Sequence, residues 1–397
     1  MIGIKHLKQY AAACGSDTPF LTSAAVAPIL EKSRRIWRAD PNPILGSMIL
    51  RKFLFACILL SGCDRPPGES PPVALEGTVV SDGDFLGEPR RLLAVGDRLL
   101  VADDMAPYLH VLDAQSGKLL ASTGKEGGGP GEFGMVRELL EAPARDGSFW
   151  VYDSGNLRLS RMAFDRERAE PRIIETVRLE APALTLYMQP VLLDDSTLVA
   201  SGIFPEGRLV RTRLTGRPVG TIGATPAAPA GRDVPITVLQ HAWEGPLERS
   251  PDGSRLALAT RNGDLIEIFR ADGTLFRTLR GGSGFDPAYE VRRSPAGVSM
   301  MTGDDLRFGY GDLASTDEHL FALFSGETRG SAPGMAQFGK LVHVFRWDGE
   351  RVASLQLPER ARAITVTPDG ADLFAIHVDP KPAVVRYPLR EHLPARR

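Results

Sequence analysis

The sequence predicts an all-β fold, a six-bladed β-propeller, from three observations. Short apolar strand patterns recur about every 50 residues. Asp-Gly turns such as RADGTLFRTL (270–279) and RWDGERVASLQL (346–357) follow several of them, and these are strong hairpin signals. Glycine (41) and proline (31) are plentiful among the 397 residues, as a turn-rich fold requires. The formal net charge of −2 gives no electrostatic reason to expect nucleic acid as a partner.

A targeting segment lies ahead of the repeats. Residues 48–63 read MILRKFLFACILLSGC, in which Arg51 and Lys52 precede the apolar run Phe53 to Leu60. That run is too short to span a bilayer as a helix, so it reads as the apolar part of a signal peptide. Leu60-Ser61-Gly62-Cys63 resembles the lipobox of bacterial lipoproteins. The resemblance implies a diacylglycerol on the Cys63 thiol and cleavage just before it. Asp64 resembles the inner-membrane retention signal of enteric bacteria, a rule that does not extend to all bacteria, and so the membrane stays open. Asp64 to Pro72 (DRPPGESPP) is a Pro-rich polar tether. Met48 stands where such a signal begins. Residues 1–47 therefore read as an extension upstream of the true start, or as a disordered leader, and carry no assigned function.

Cys14, Cys57 and Cys63 all lie in the first 63 residues, so the body from residue 73 folds without a disulfide. A body of this size can rely on core burial alone. Removing the eight basic and three acidic residues of 1–62 leaves 39 and 46, a formal net charge of −7. That mild acidity argues against a body lying flat on anionic lipid.

The repeats run from residue 88 to about 390. Their anchor residues are Leu100, Trp150, Leu198, Leu256, Leu320 and Leu373, spaced by 50, 48, 58, 64 and 53. A further strand follows most anchors after about ten residues: LHVL at 109, LSRM at 159, VRTRL at 210, IEIF at 266 and VVRY at 384. In the fifth unit the insertion Gly326 to Gly339 delays it to VHVF at 342. The strands are nearly all apolar, as strands buried on both faces are. The third unit (about 181–222) is weak, and residues 223–248 and 281–305 read as irregular insertions. The sixth unit runs out after its third strand. Val73 to Val80 precedes the first unit and supplies a candidate outer strand that closes the ring and hides an edge. A pair of β-sandwiches or a solenoid also fits the alternation.

Ser250-Pro-Asp-Gly-Ser-Arg-Leu-Ala257 and Thr367-Pro-Asp-Gly-Ala-Asp-Leu-Phe374 resemble the hairpin motif of TolB-type propellers, and FWVYDSGNLRLSRM (149–162) resembles an NHL-repeat blade. With LLVADDMAPYLHVLDAQSGKLLASTGKEGGGPGEF and the later HLFALFSG and LVHVFRWDGERV, residues 88–390 resemble the six-bladed TolB-like propeller lipoproteins of bacteria. The domains expected are thus the extension 1–47, the signal 48–62, the tether 63–72 and the propeller 73–392.

Chemistry is sparse in the body. The loop Gly124 to Phe133 lacks the Gly-Lys-Ser/Thr ending of a P-loop, and no helical pattern follows it. It reads as the crossover between the first and second blades. Asp103, Asp104 and Asp153 end strands at equivalent positions, where carboxylates more often cap turns than bind cations. The six histidines of the body (His110, His241, His319, His343, His377 and His392) form no metal-binding pair motif. No G-x-S-x-G elbow is present. No catalytic residue, metal ligand or cofactor is expected. Loops on a rigid scaffold are the better place for binding. The candidates are Tyr289, Arg292 and Arg293 in one insertion and Arg329 in another, both at a mouth of the ring.

The functional expectation is a lipoprotein of the bacterial cell envelope, facing periplasm or exterior. Its propeller acts as a binding or scaffold module for a protein or small-molecule ligand, with the membrane as partner through Cys63. The competing class is an enzyme, a hydrolase or lyase using metal-bound water on the propeller axis. Convergent histidines or acids on the axis favour the enzyme; an apolar or small-residue axis favours the binder.

Overall fold

The computed structural model describes residues 71–393 apart from 166–168, 181–185, 205 and 296. Cys63, the signal and the tether up to Ser70 lie outside the described residues. The strands in chain order are β1 (Val73–Ala74), β2 (Thr78–Ser81), β3 (Pro89–Val95), β4 (Arg98–Asp103), β5 (Leu109–Asp113), β6 (Leu119–Thr123), β7 (Lys125–Glu126), β8 (Glu132–Phe133), β9 (Val136–Glu141), β10 (Phe149–Asp153), β11 (Arg158–Phe164) and β12 (Pro171–Arg178). There follow β13 (Leu186–Leu192), β14 (Thr197–Ile203), β15 (Leu209–Arg213), β16 (Pro218–Ile222), helix α1 (Ile236–Trp243), β17 (Leu247–Arg249), β18 (Arg255–Ala259), β19 (Ile266–Arg270) and β20 (Leu275–Leu279). The chain ends with β21 (Glu290–Ser294), β22 (Gly297–Met301), β23 (Tyr310–Ser315), β24 (His319–Phe324), β25 (Gly339–Arg346), β26 (Arg351–Val366), β27 (Asp372–His377) and β28 (Ala383–Pro388).

Among the described residues these build six antiparallel four-stranded blades. Four are separate sheets, β3–β6, β9–β12, β13–β16 and β17–β20. The last two share β26. Its first half pairs with β25 as the outer strand of the fifth blade, and its second half pairs with β27 as the inner strand of the sixth. The weak third unit is a complete blade. The two insertions expected to be irregular carry α1 and the hairpin β21–β22.

Side-chain alternation explains why the second strand of every blade is almost entirely buried. Successive residues of a strand point to opposite faces, so each strand feeds two interfaces. Leu100 and Val111 face the second blade and pack with Phe149 and Val151, while Leu99, Val101 and Leu112 face the sixth and pack with Phe374, Ile376 and Val384. Trp150 and Tyr152 meet Leu198 and Ala200; Val199 meets Leu256 and Leu258. Ala257 and Ile268 meet Leu320 and Ala322; Phe321 and Val344 meet Leu373 and Ala375. One apolar cluster fills each junction. Each fully buried Leu or Phe contributes about 1.5–3 kcal/mol.

The sixth blade borrows its outer strand from the other end of the chain. Thr78–Ser81 pairs antiparallel with β28, with Val79 opposite Val385. The preceding β1 goes to the neighbouring blade, where Val73 pairs in parallel with Leu355 of β26. The N-terminal segment therefore seals two blade edges. Arg386 ties the seam to the first blade, its Nη1 donating to the Gln115 carbonyl at 3.2 Å, and the Lys381–Asp82 ion pair at 2.8 Å holds the end of the closing strand to the β27–β28 turn.

The β5–β6 turn of the first blade sits hard against this closing strand. Gly117 has φ +70°, and a Cβ there would lie 1.8 Å from the Val80 carbonyl oxygen. Backbone cannot move aside as a flexible side chain can. Gly147 has a similar φ of +80° but open space around it. We predict that Gly117→Ala costs about 2–4 kcal/mol in denaturant unfolding, whereas Gly147→Ala costs about 1 kcal/mol, the φ penalty alone. Equal losses would mean that the turn and the closing strand do not touch.

Candidate functional site: the axial channel and its arginine mouth

The six inner strands surround an axial channel. Its cavity of about 100 Å³ is lined from every blade, among others by Leu93, Leu140, Val191, Glu248, Asp312 and Thr365. A wider cavity of about 200 Å³ lies where the inner strands begin, lined by Arg90, Arg91, Arg137, Arg261, Gln189 and Arg362, with Gln337 and Phe338 at its side. In an antiparallel blade, the links entering the first strand and those joining the second to the third open at this same end. The GGGPGEF crossover, α1, the β21–β22 hairpin and the Gly326–Gly339 insertion therefore all gather at the arginine mouth.

Below the mouth a ring of polar contacts crosses the blades. Arg91 Nε donates to Glu138 Oε2 at 2.8 Å. The Gln189 amide, oriented by its neighbours, accepts from Arg91 Nη2 at 2.7 Å and donates to the Gly245 carbonyl at 3.1 Å. Asp312 Oδ2 accepts from the Ile364 amide at 2.9 Å. Burial opposes the Arg91 charge, but Glu138 and Asp312 more than offset it and hold the guanidinium protonated. Burial pushes Asp312 up to about 6, with Arg91 pulling the other way. Deeper in the channel Ser315 Oγ donates to Glu248 Oε1 at 3.0 Å, and Arg249 pairs with Glu141 at 3.4 Å. Desolvation in this narrow space pushes Glu248 up to about 8.

The axis thus carries Glu138, Glu141, Glu248 and Asp312 among apolar residues such as Leu93, Leu140 and Val191, and is not the wholly apolar or small-residue lining expected of a binder. The acids are nevertheless engaged by arginine, serine or backbone N–H groups. Among the described residues, no group of three or more His, Cys, Asp or Glu side chains is arranged to hold a metal ion.

The four strand histidines, His110, His319, His343 and His377, are buried in the packing, whereas His241 is exposed. His110 Nδ1 meets Ser122 Oγ at 2.8 Å, and His377 Nε2 meets the Tyr387 hydroxyl at 2.8 Å. His343 stacks on Phe324, and burial pushes it down to about 4. Neither axial cavity is lined by a histidine. The strand-end carboxylates cap turns. Asp103 accepts from the amides of Gly87, Glu88 and Met105, each at 2.9 Å. Asp153 accepts from the Met135 amide at 3.0 Å and holds Asn156 Nδ2 at 2.7 Å. Asn156 in turn donates to Gly127 O at 2.8 Å, which pins the glycine-rich crossover to the second blade. Asp104 instead grips Arg90 with both oxygens.

The four loop candidates stand on the arginine end but do not line the axial cavities. Arg293 pairs with Asp233 at 2.8 Å on the surface, beside exposed Arg292. Tyr289 is half-buried just before β21. Arg329 Nη1 donates to the Thr302 carbonyl at 3.2 Å, bracing one insertion on the other. The mouth is built instead by Arg90, Arg91, Arg137 and Arg362, at the starts of inner strands, and by Arg261 between β18 and β19. Their signal in the sequence is a basic residue opening an apolar inner strand, in PRR (89–91), VRE (136–138) and RAR (360–362).

Glu248 supplies a pH prediction. The folded protein keeps its proton up to about pH 8, whereas an unfolded carboxyl releases it near 4.5. The contribution to stability is full below pH 4.5 and is lost as the pH rises through 8. Glu248→Gln is expected to leave stability unchanged at pH 4.5 and to raise it by about 1–3 kcal/mol at pH 9 in urea unfolding. A gain at pH 4.5 equal to that at pH 9 would remove the proton from the explanation.

No curated protein sequence matches the chain. Solved structures similar to it include the β-propeller domain of Cps50 (Swd1) from Myceliophteria thermophila, at 12% identity and TM-score 0.43, covering 78% of this chain and 99% of that one. U3-55K aligns at 11% identity and TM-score 0.48 over 80% of this chain and 100% of that one. The WD40 repeats of RRP9 align at 10% identity and TM-score 0.48 over 80% and 99%. A model of the TolB-like, 6-blade propeller-like family matches residues 74–369, from the strand that seals the fifth blade to the first hairpin of the sixth, and the chain belongs to this family.

Proposed function

We propose that this protein is a lipid-anchored binding module of the bacterial cell envelope that receives its ligand at the arginine-lined mouth of the ring. Cys63 carries the lipid and residues 64–72 form the tether. The observation that carries the binding reading is the gathering at one end of the ring of five arginines and the long insertions, above a channel whose acids are already engaged. Rigid propellers commonly serve as interaction scaffolds, and ligand-receiving loops on rigid frames are a general arrangement. Tyr289, Arg292, Arg293 and Arg329 form an outer rim beside this mouth, a second contact zone for a larger partner. The acids on the axis lend the hydrolase or lyase reading less support, because a metal-bound water needs free ligands.

Two measurements test this reading. Mass spectrometry of the mature N-terminus is expected to find a lipid-modified Cys63, and Cys63→Ser is expected to move the protein from the membrane to the soluble fraction. An unmodified chain starting at Met1 or Met48 would sink the anchor. For the mouth, a photo-crosslinking residue at exposed position Gln337 is expected to label ligands or partners in envelope preparations, while one at Arg145, at the other end of the channel, is not. Labelling only from Arg145 would place binding at the opposite mouth.

A further inference from the structure

The arginine mouth has more guanidinium charge than its own carboxylates neutralise. Arg90 is held by Asp104, Arg91 by Glu138 at 2.8 Å, and Arg261 by Glu244 at 3.2 Å. Arg137 and Arg362 differ. Arg137 Nε donates to the Met188 carbonyl at 3.3 Å, and Nη2 faces the Met188 sulfur at 3.6 Å. Arg362 Nη1 donates to the Pro89 carbonyl at 3.1 Å, and its guanidinium stands 5.7 Å from the Phe338 ring centroid. Among the described residues, neither has a carboxylate within ion-pair distance. Both are half-buried. A half-buried charge without a counter-ion is costly, and a second like charge beside it makes it more so.

The placement of these two arginines is not random. They open the inner strands of the second and sixth blades, the two neighbours of the first blade, which itself carries Arg90 and Arg91. Three adjacent blades thus present an arc of guanidiniums at one level of the same cavity. Burial lowers the proton affinity of Arg137, and so do Arg90 and Arg91; for Arg362 burial acts first and Arg90 next. The tension is therefore electrostatic, and an anion would relieve it.

We propose that the mouth binds a small, multiply charged oxyanion of the polycarboxylate or phosphate class, with Arg137 and Arg362 as the guanidiniums that engage it. This deepens the reading of the mouth as the ligand site and rests on it. Arginine suits the task because its planar fork pairs two oxygens at once and keeps its charge. Arg91 and Gln189 floor the cavity, and Phe338 closes one side with an apolar face. The space of about 200 Å³ is small beside the roughly 300–1,000 Å³ of drug-sized pockets, which favours a compact ligand. Free ions and organic acids share this chemistry, so both are needed as probes.

Isothermal titration of the purified full chain with citrate and, separately, with inorganic phosphate tests the proposal, with acetate and chloride at matched ionic strength as controls. Citrate or phosphate is expected to bind, and acetate is not. The double variant Arg137→Gln/Arg362→Gln is expected to lose at least tenfold in affinity and to melt no lower than the parent in low salt, since it removes repulsion. Arg137→Lys/Arg362→Lys, which keeps charge but loses the fork, is expected to fall between them. Arg293→Gln, on the outer rim, is expected to bind as the parent does. Binding that is equal in the double variant overturns the assignment to these arginines. Failure of both probes to bind overturns the small-anion ligand, and so does binding only of an acidic polypeptide such as polyglutamate. In all three cases labelling from Gln337 still reports separately on whether the mouth is a binding site.

Discussion

Blade-to-blade burial is the constraint on which this protein depends. A four-stranded sheet whose second strand is apolar on both faces cannot exist alone in water. Leu99 and Leu100 are adjacent in sequence yet belong to different interfaces, one with the sixth blade and one with the second. The ring removes both faces from water only if it closes. The last junction, where Phe374, Ile376 and Val384 meet Leu99, Val101 and Leu112, joins segments more than 250 residues apart. Closure is then reinforced by hydrogen bonding, since β2 completes the sixth blade and β1 covers the edge of the fifth. Contacts so distant in sequence come at a large loop-closure cost, which the six apolar clusters must outweigh.

The same architecture explains where chemistry can sit. Inner strands all begin at one end of the ring, so a residue type placed at the start of several of them converges on the axis. Arg91, Glu138, Gln189 and Asp312 hold equivalent places on four blades; the first three are hydrogen-bonded together, and the Asp312 carboxyl adds its charge beside Arg91. One level higher, Arg90, Arg137 and Arg362 form the mouth. The polar ring fastens neighbouring blades to one another, and the level above it holds charge that the fold leaves unpaired. A rigid frame with unspent charge at one opening is suited to recognition, because the groups that meet a ligand are already in position.

The insertions illustrate how much a loop's role depends on its surroundings. The GGGPGEF segment has the glycine content of a phosphate loop, yet Asp153 and Asn156 lock it as a joint between blades. Arg293 and Arg329 have the look of binding residues in sequence, and each is engaged by the other insertions, with Asp233 or with Thr302. The Gly326–Gly339 insertion does reach the mouth, through Gln337 and Phe338 and not through its arginine.

What the sequence by itself determined is the repeat. Strand pattern, turn residues and spacing are local properties, and they identified the six second strands, the delayed strand at 342 and the donor strand before the first blade. The third blade was faint because Gln189, Pro190 and Gly202 interrupt its apolar pattern, and their neighbours restore the sheet through pairing. The site was not legible in the same way. Arg91, Arg137 and Arg362 are separated by tens to hundreds of residues, and each looks like an ordinary solvated charge beside an apolar strand. Only the closed ring brings them to one axis, and only there do burial and the share of carboxylates decide which arginine is neutralised and which is free for a ligand.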